Sequence, residues 1–261
     1  MSLKKISVMV LTVMLLGSVI VGAADELTGD EILDRLKDDS TLTGSGTAII
    51  NLITENEKGE QRVNKLKIYR KDDGKLEKQL LEYLEPADVK GTKFLSINNT
   101  ETDENQMWLF LPALGRERRI AGHMTEDKFM GTDFTYDEIG GGQSYSDDYQ
   151  AKRLADEEFA GYNCYVLEMI PEDKDSDYSK VKMWVWQDEM IPLQIEFYNL
   201  DGQLSKKLVS SELEKEDDGD YMPHKVVMSD ELAGTKTIIE ILESNDEEVN
   251  DQYFTMRYLR R

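Results

Sequence analysis

From Leu42 almost to its last residues the chain alternates extended runs with hairpin turns, and that alternation restricts it to a large antiparallel sheet. TAIINLIT runs into Asn56-Glu57-Lys58-Gly59, RVNKLKIYR runs into Lys71-Asp72-Asp73-Gly74, and KLEKQLLEYLEP follows. Each turn ends on a glycine, the residue that most easily takes the left-handed backbone of a tight hairpin. KLEKQLLEYL has a composition that also suits a helix, but the turn before it favours a third strand. GTKFLSINN and NQMWLFLPA come next; after a middle segment, YQAKRLADEEF, YNCYVLEMIP, SKVKMWVWQ, PLQIEFYN, QLSKKLVSSELEKE, YMPHKVVMSDE and GTKTIIEILES complete the series. The expectation is a mainly β (α+β) fold of about eleven strands, too many to stay flat, so the sheet curls or closes.

Two segments break the pattern. Leu27 to Lys37 places Ile32, Leu33 and Leu36 on one stripe behind Thr28 and Asp30, either of which can cap a helix. The middle, from Leu114 to about Tyr149, is long and rich in glycine and small turns, and long loops in compact domains are usually functional. It reads as a loop/helix lid over one face of the sheet.

The first residues, MSLKKISVMVLTVMLLGSVIVGAADE, give Lys4 and Lys5, an apolar run, and small residues at Gly22-Ala23-Ala24, the pattern of a secretory signal peptide over 1–24. An uncleaved anchor is the alternative, although Ile6 to Val21 is shorter than the roughly 20 residues that usually span a bilayer. The expectation is a single domain over 25–261, soluble and periplasmic or otherwise extracytoplasmic after cleavage. No cysteine follows the signal to take a lipid. Cys164 stands alone, so no intrachain disulfide forms and folding rests on a packed core. The net charge of −22 argues against nucleic acid and against broad adhesion to anionic headgroups, leaving transient membrane contact only.

The chain carries few catalytic signatures. Gly142-Gln143-Ser144-Tyr145-Ser146 lacks the last glycine of a nucleophile elbow, and there is no H-E-x-x-H, P-loop or G-x-G-x-x-G. His123 and His224 are far apart in sequence and provide no zinc spacing with Cys164. Asp173-Lys174-Asp175-Ser176-Asp177 echoes the start of a calcium loop, but Tyr178 stands where glycine is needed and Trp184 where glutamate is needed. No catalytic residue, metal site or cofactor is assigned.

The apolar pattern is more informative. MWLFL and VKMWVW put large groups on both faces of their strands, which fits either burial between sheet and helices or a sheet curled round a hollow. Under the second alternative Trp108, Phe110, Trp184 and Trp186 are candidate linings. Phe129, Met130 and Phe134, within HMTEDKFMGTDF, are candidate lid contacts. Arg116, Arg118 and Arg119 either pair with the abundant surface acids or stand at a cavity rim and meet phosphate or carbonyl oxygens.

YLEPADVKGTKFLSI (83–97), MWLFLPALGRERRI (107–120) and KFMGTDFTYDEI (128–139), then GYNCYVLEMIPE, YSKVKMWVWQDEMIPLQIEFYNLDGQLSKKL and DQYFTMRYLRR, resemble the LolA/LolB-like outer-membrane lipoprotein-sorting family. The resemblance is to its exported branch of unknown detailed role and spans the mature chain. It implies a strongly curved, incomplete antiparallel β-barrel covered by helices around a hydrophobic cavity. It also implies a non-enzymatic carrier of lipid or lipoprotein acyl chains, working beside an inner-membrane exporter of the resistance-nodulation-division or lipoprotein-releasing type. The competing readings are a docking protein of such an exporter without lipid cargo, and a lipid hydrolase.

Overall fold

The structure, a computed structural model, describes residues 26–38, 45–102, 104–141, 145–174, 176–216 and 219–261; the signal segment lies outside them. Helix α1 (Gly29–Asp38) precedes β1 (Gly46–Glu55), β2 (Gln61–Asp72), β3 (Leu76–Glu85), β4 (Lys93–Asn99), β5 (Glu104–Leu111) and β6 (Arg116–Ile120). The lid segment carries α2 (Tyr136–Gly140) and α3 (Tyr145–Asp148). The sheet resumes with β7 (Tyr149–Arg153), β8 (Glu157–Phe159), β9 (Tyr162–Pro171), β10 (Tyr178–Trp186), β11 (Ile191–Asn199), β12 (Leu204–Lys215), β13 (Tyr221–Asp230) and β14 (Thr235–Asn245), before α4 (Met256–Leu259).

All the strands belong to one antiparallel sheet in the order β6-β5-β4-β3-β2-β1-β14-β13-β12-β11-β10-β9-β7, with β8 also on β9. It is an open, curved sheet that does not close into a barrel. The described residues form 14 strands, more than the expected eleven or so: the twelve extended runs read from the sequence gain two. RERRI, expected to leave the sheet, stays in it as β6, and YQAKRLADEEF splits into β7 and β8, which pair with successive parts of β9.

Directly paired residues share a face, so the register sorts the side chains. One row runs Ile68, Leu81, Phe94, Leu109 and Arg118; the adjacent row on the opposite face runs Tyr69, Leu80, Leu95, Trp108 and Arg119. On the other half, Met228, Leu208, Ile195, Met183 and Leu167 continue the first face. We call the first face inner, because α1 and the lid cover it. Thr28 caps α1 in a reciprocal box with Glu31: the Thr28 N–H donates to the Glu31 carboxylate at 2.7 Å and the Glu31 N–H to Thr28 Oγ1 at 3.2 Å. The helix then buries Ile32 and Leu33 against the β9–β11 side of the inner face.

The outer face has its own cover. After β14 the chain turns back, and Val249, Phe254 and Leu259 bury against Tyr69, Leu80, Leu95 and Phe110. Tyr253 stacks on Tyr69 with ring centroids 4.3 Å apart, and Asp251 bridges Lys71 at 2.8 Å and Lys78 at 3.2 Å. Among the described residues no helix is long and apolar enough to cross a membrane.

Candidate functional site: the inner face and its lid

The lid turns on residues 128–135. Lys128 and Thr135 form an isolated antiparallel bridge, and the Phe129 N–H donates to the Phe134 carbonyl at 2.8 Å. Between them the chain reverses through Met130 (φ 47°) and Gly131 (φ 80°), with Thr132 Oγ1 donating to the Phe129 carbonyl at 2.7 Å. Left-handed backbone is strained at a residue with a Cβ, so Met130 depends on this closed loop to hold it.

Closing the loop sends its two phenylalanines to different places. Phe129, fully buried, enters the apolar cluster of Leu66, Leu81, Phe94 and Leu109, where it meets Phe94 edge-on at 5.2 Å and Tyr136 at 5.3 Å. Phe134 enters the other cluster with Leu167, Met183, Ile195 and Met228. One short loop therefore plugs both halves of the inner face. The two rings fill space on the inner face that a hollow would need, and two surface clefts are lined largely by polar residues. One, about 350 Å³, opens beside Lys128 and Asp133; a second, about 320 Å³, lies on the outer face near Tyr253.

Polar contacts tie the lid down at both ends. Asp133, although only 4% exposed, accepts hydrogen bonds from Thr235 Oγ1 at 2.6 Å, Thr237 Oγ1 at 2.9 Å and Lys128 Nζ at 3.1 Å, and its N–H donates to Thr237 Oγ1 at 2.7 Å. Lys128 also reaches Asp230 at 3.0 Å; partial burial works against its charge, but the two carboxylates outweigh it and hold the pKa above the ordinary lysine value. At the far end, Thr135 and Glu138 form a capping box on α2. The carbonyls that end the helix accept from Gln79 Nε2 (to Ile139, 2.6 Å), Ser96 Oγ (to Gly140, 2.5 Å) and Asn98 Nδ2 (to Gly140, 3.0 Å). Gly140 packs so close to Met107 that a Cβ would lie 2.5 Å from its methyl.

Asp137 is the electrostatic exception. Burial, then the nearby Asp148 and Glu138 carboxylates, push its pKa up to about 6, against a weak 3.4 Å hydrogen bond from Asn105 Nδ2. Among the described residues the buried Oδ1 atoms of Asn98 and Asn105 have no hydrogen-bond partner.

The structure separates the candidate residues named from the sequence. Phe129, Met130 and Phe134 are together in the lid, on the inner face. Trp108 and Phe110 are on the outer face under the C-terminal segment, so they do not share a lining with the lid. Trp184 and Trp186 are also outside, packed with Cys164, Val166, Ile191 and Tyr221, their indole N–H groups donating to Glu157 at 2.9 Å and Asp188 at 3.3 Å. The three arginines divide likewise: Arg116 and Arg118 pair with Leu111 and Leu109 on the inner side, Arg119 with Trp108 on the outer. Cys164 is fully buried, and burial pushes its thiol pKa up, the opposite of what a nucleophile needs. Among the described residues no group of His, Cys, Asp and Glu could hold a metal ion. The latch residues Asp133, Thr235 and Thr237 carry no sequence signal of their own; only the hairpin register places the two threonines under the lid.

A family model described as an uncharacterized protein matches residues 75–261. Among solved structures, the chain is similar to a putative outer membrane lipoprotein-sorting protein domain from Vibrio parahaemolyticus, at 29% identity and TM-score 0.80, covering 89% of this chain and 98% of that one. It is similar at 28% identity and TM-score 0.80 to a DUF1329 family protein from Desulfovibrio piger, over 88% of this chain and 97% of the other. A LolA superfamily protein from Nitrosomonas europaea shares the fold at TM-score 0.66 and 20% identity, over 89% and 100%. No curated protein matches in sequence.

Proposed function

The chain belongs to the LolA/LolB-like outer-membrane lipoprotein-sorting family, in a branch whose family model is described only as an uncharacterized protein, and from that premise we propose that it carries acyl chains of lipids or lipoproteins across the cell envelope. The fold is that of a lipid- or lipoprotein-binding carrier. The finer reading is a periplasmic shuttle without enzymatic activity that takes its cargo from an inner-membrane exporter and holds it on the inner face. The observation that carries this reading is the double plug: Phe129 and Phe134 sit on one closed loop and fill two apolar clusters that another apolar chain can fill instead.

Magnitudes set what the cargo must be. Lifting the two phenylalanines re-exposes apolar surface at about 1.5–3 kcal/mol each. Each buried methylene returns about 0.8 kcal/mol, so roughly four to eight methylenes are needed to break even. Long acyl chains open the lid and short ones do not. The small net gain keeps capture reversible, which a shuttle requires. In this reading Arg116 and Arg118, which pair with Leu111 and Leu109 on the inner side, meet the polar end of such a cargo.

The test is native mass spectrometry of protein purified without detergent, together with titration by fluorescent acyl probes of increasing length. Co-purified lipid and a binding threshold near eight carbons are expected. Protein that is empty and ignores probes of every length refutes the carrier; if it nevertheless captures a membrane exporter, the docking reading replaces it. Turnover of phospholipid would select a hydrolase.

A further inference from the structure

We infer that the corner built by β6, the connection before it and the turn of α4 is a docking surface for an anionic lipid bilayer. The inference does not depend on the carrier reading: its partner is a bilayer rather than a bound acyl chain, and of the corner's residues only Arg116 and Arg118 also enter that reading.

Six of the chain's ten arginines fall in two stretches far apart in sequence, Arg116, Arg118 and Arg119 in one and Arg257, Arg260 and Arg261 in the other. The fold brings these stretches together. Leu259, fully buried on the outer face among Leu95 and Phe110, seats α4 beside β5. Lys93 Nζ donates to the Tyr258 carbonyl at 3.3 Å, and Arg260 donates through Nε to Glu117 Oε2 at 3.0 Å and through Nη2 to Oε1. Glu117 is the only acid within 112–120 and 255–261. Arg260 holds its carboxyl below the usual carboxylate range.

All six arginines are exposed, and among the described residues no carboxylate pairs with Arg116, Arg119, Arg257 or Arg261. In a chain of net charge −22, pairing was the bland expectation, and the corner departs from it. At its tip Pro112, Ala113 and Leu114 are exposed, Leu114 by 59%. Cations surrounding a small apolar tip match lipid headgroups over acyl chains; an acidic protein or a nucleic acid would reward the charge but not the leucine.

The rest of the molecule makes the contact directional. An anionic surface repels most of this chain, but at physiological salt that repulsion decays within roughly 8 Å. The arginine corner can approach closely, so the sheet meets the bilayer by its β6 edge. Arg118 and Arg119 flank that edge on opposite faces, and Arg118 also touches the sulfur of Met124 in the lid segment. Edge-on docking therefore sets the lid beside the membrane.

The experiment is flotation of the mature protein with vesicles containing phosphatidylglycerol, against vesicles of phosphatidylcholine alone. The expected result is salt-sensitive binding to the first and little to the second. The Arg119→Glu/Arg257→Glu variant should bind about tenfold more weakly or worse, given roughly fivefold per cation near an anionic surface. Leu114→Ser should weaken what binding survives added salt, and Lys152→Glu on the far edge strand should change nothing. Equal binding to both vesicles, equal loss in Lys152→Glu, or no binding while an acidic protein partner is captured through the same arginines overturns the inference. Because the vesicles carry no probe cargo, failure here leaves acyl-probe binding to be judged separately.

Discussion

Asp133 in the lid accepts a 2.9 Å hydrogen bond from Thr237, which stands on β14 in the middle of the sheet. Lid and sheet are thus joined by a buried carboxylate whose donors come from three residues, Thr235, Thr237 and Lys128. Removing Thr237's hydroxyl leaves the carboxylate short of a donor inside the protein, at a cost of about 1–3 kcal/mol. Thr237→Val should lower the urea midpoint accordingly and speed acyl-probe uptake. A variant that loses stability but takes up probe no faster would mean that the latch does not gate the inner face.

Phe129→Ala separates packing from cargo binding. The side chain is fully buried, and its truncation should cost about 3–5 kcal/mol in global stability, or less if the lid opens locally first. Because cargo no longer has to displace the ring, the shortest acyl probe that binds should become shorter. Calorimetry and probe titration read the two effects independently.

Asp137 gives a pH dependence of definite sign. Its folded pKa, about 6, lies above the ordinary aspartate value of 3.8, so the folded state binds the extra proton and stability falls as pH rises between those values. The penalty at neutral pH is on the order of 2 kcal/mol after allowing for partial exposure. Asp137→Asn should be more stable than the parent at pH 7 and indistinguishable from it below pH 4, as followed by thermal melts across that range.

All three tryptophans face away from the lid. Loading the inner face with a brominated acyl chain, which quenches indole on contact, should therefore leave tryptophan emission unchanged. Quenching would place the cargo on the outer face and reopen Trp108, Trp184 and Trp186 as its lining.

Gly29 tests how α1 is held. A Cβ there would lie 2.4 Å from the carbonyl oxygen of Ala151 on β7, while Asp30 accepts the Ala151 N–H at 2.9 Å. Backbone cannot yield as a side chain does, so Gly29→Ala should cost about 1–3 kcal/mol and expose the α1–β7 seam to hydrogen exchange.

The strands were legible because turn glycines and apolar runs mark them, and the capped helix was legible from Thr28 and Glu31. The face of each side chain was not. MWLFL is apolar on both sides, so alternation cannot tell inner from outer; that depends on which distant segment covers each face, here Val249 to Leu259 for Trp108 and Phe110. RERRI hid as a strand because an edge strand is commonly polar and charged, which protects it from unwanted pairing. The lid motif stood out in composition, but its closure through Phe129 and Phe134 rests on backbone and Thr132 hydrogen bonds within the loop that no pattern encodes.

The pairing of β1 with β14 gives the molecule a seam between an early meander, β1 to β6, and a late one, β7 to β14. Each meander assembles from neighbouring hairpins, whereas the seam joins residues such as Thr47 and Asn245 from opposite ends of the chain, and contacts so distant in sequence form slowly. The segment linking the two meanders is the lid itself, anchored through Asp133 to Thr237 at that seam. Phe129 and Phe134 fill clusters on opposite sides of that seam, so the lid can seat both rings only where the two meanders are joined.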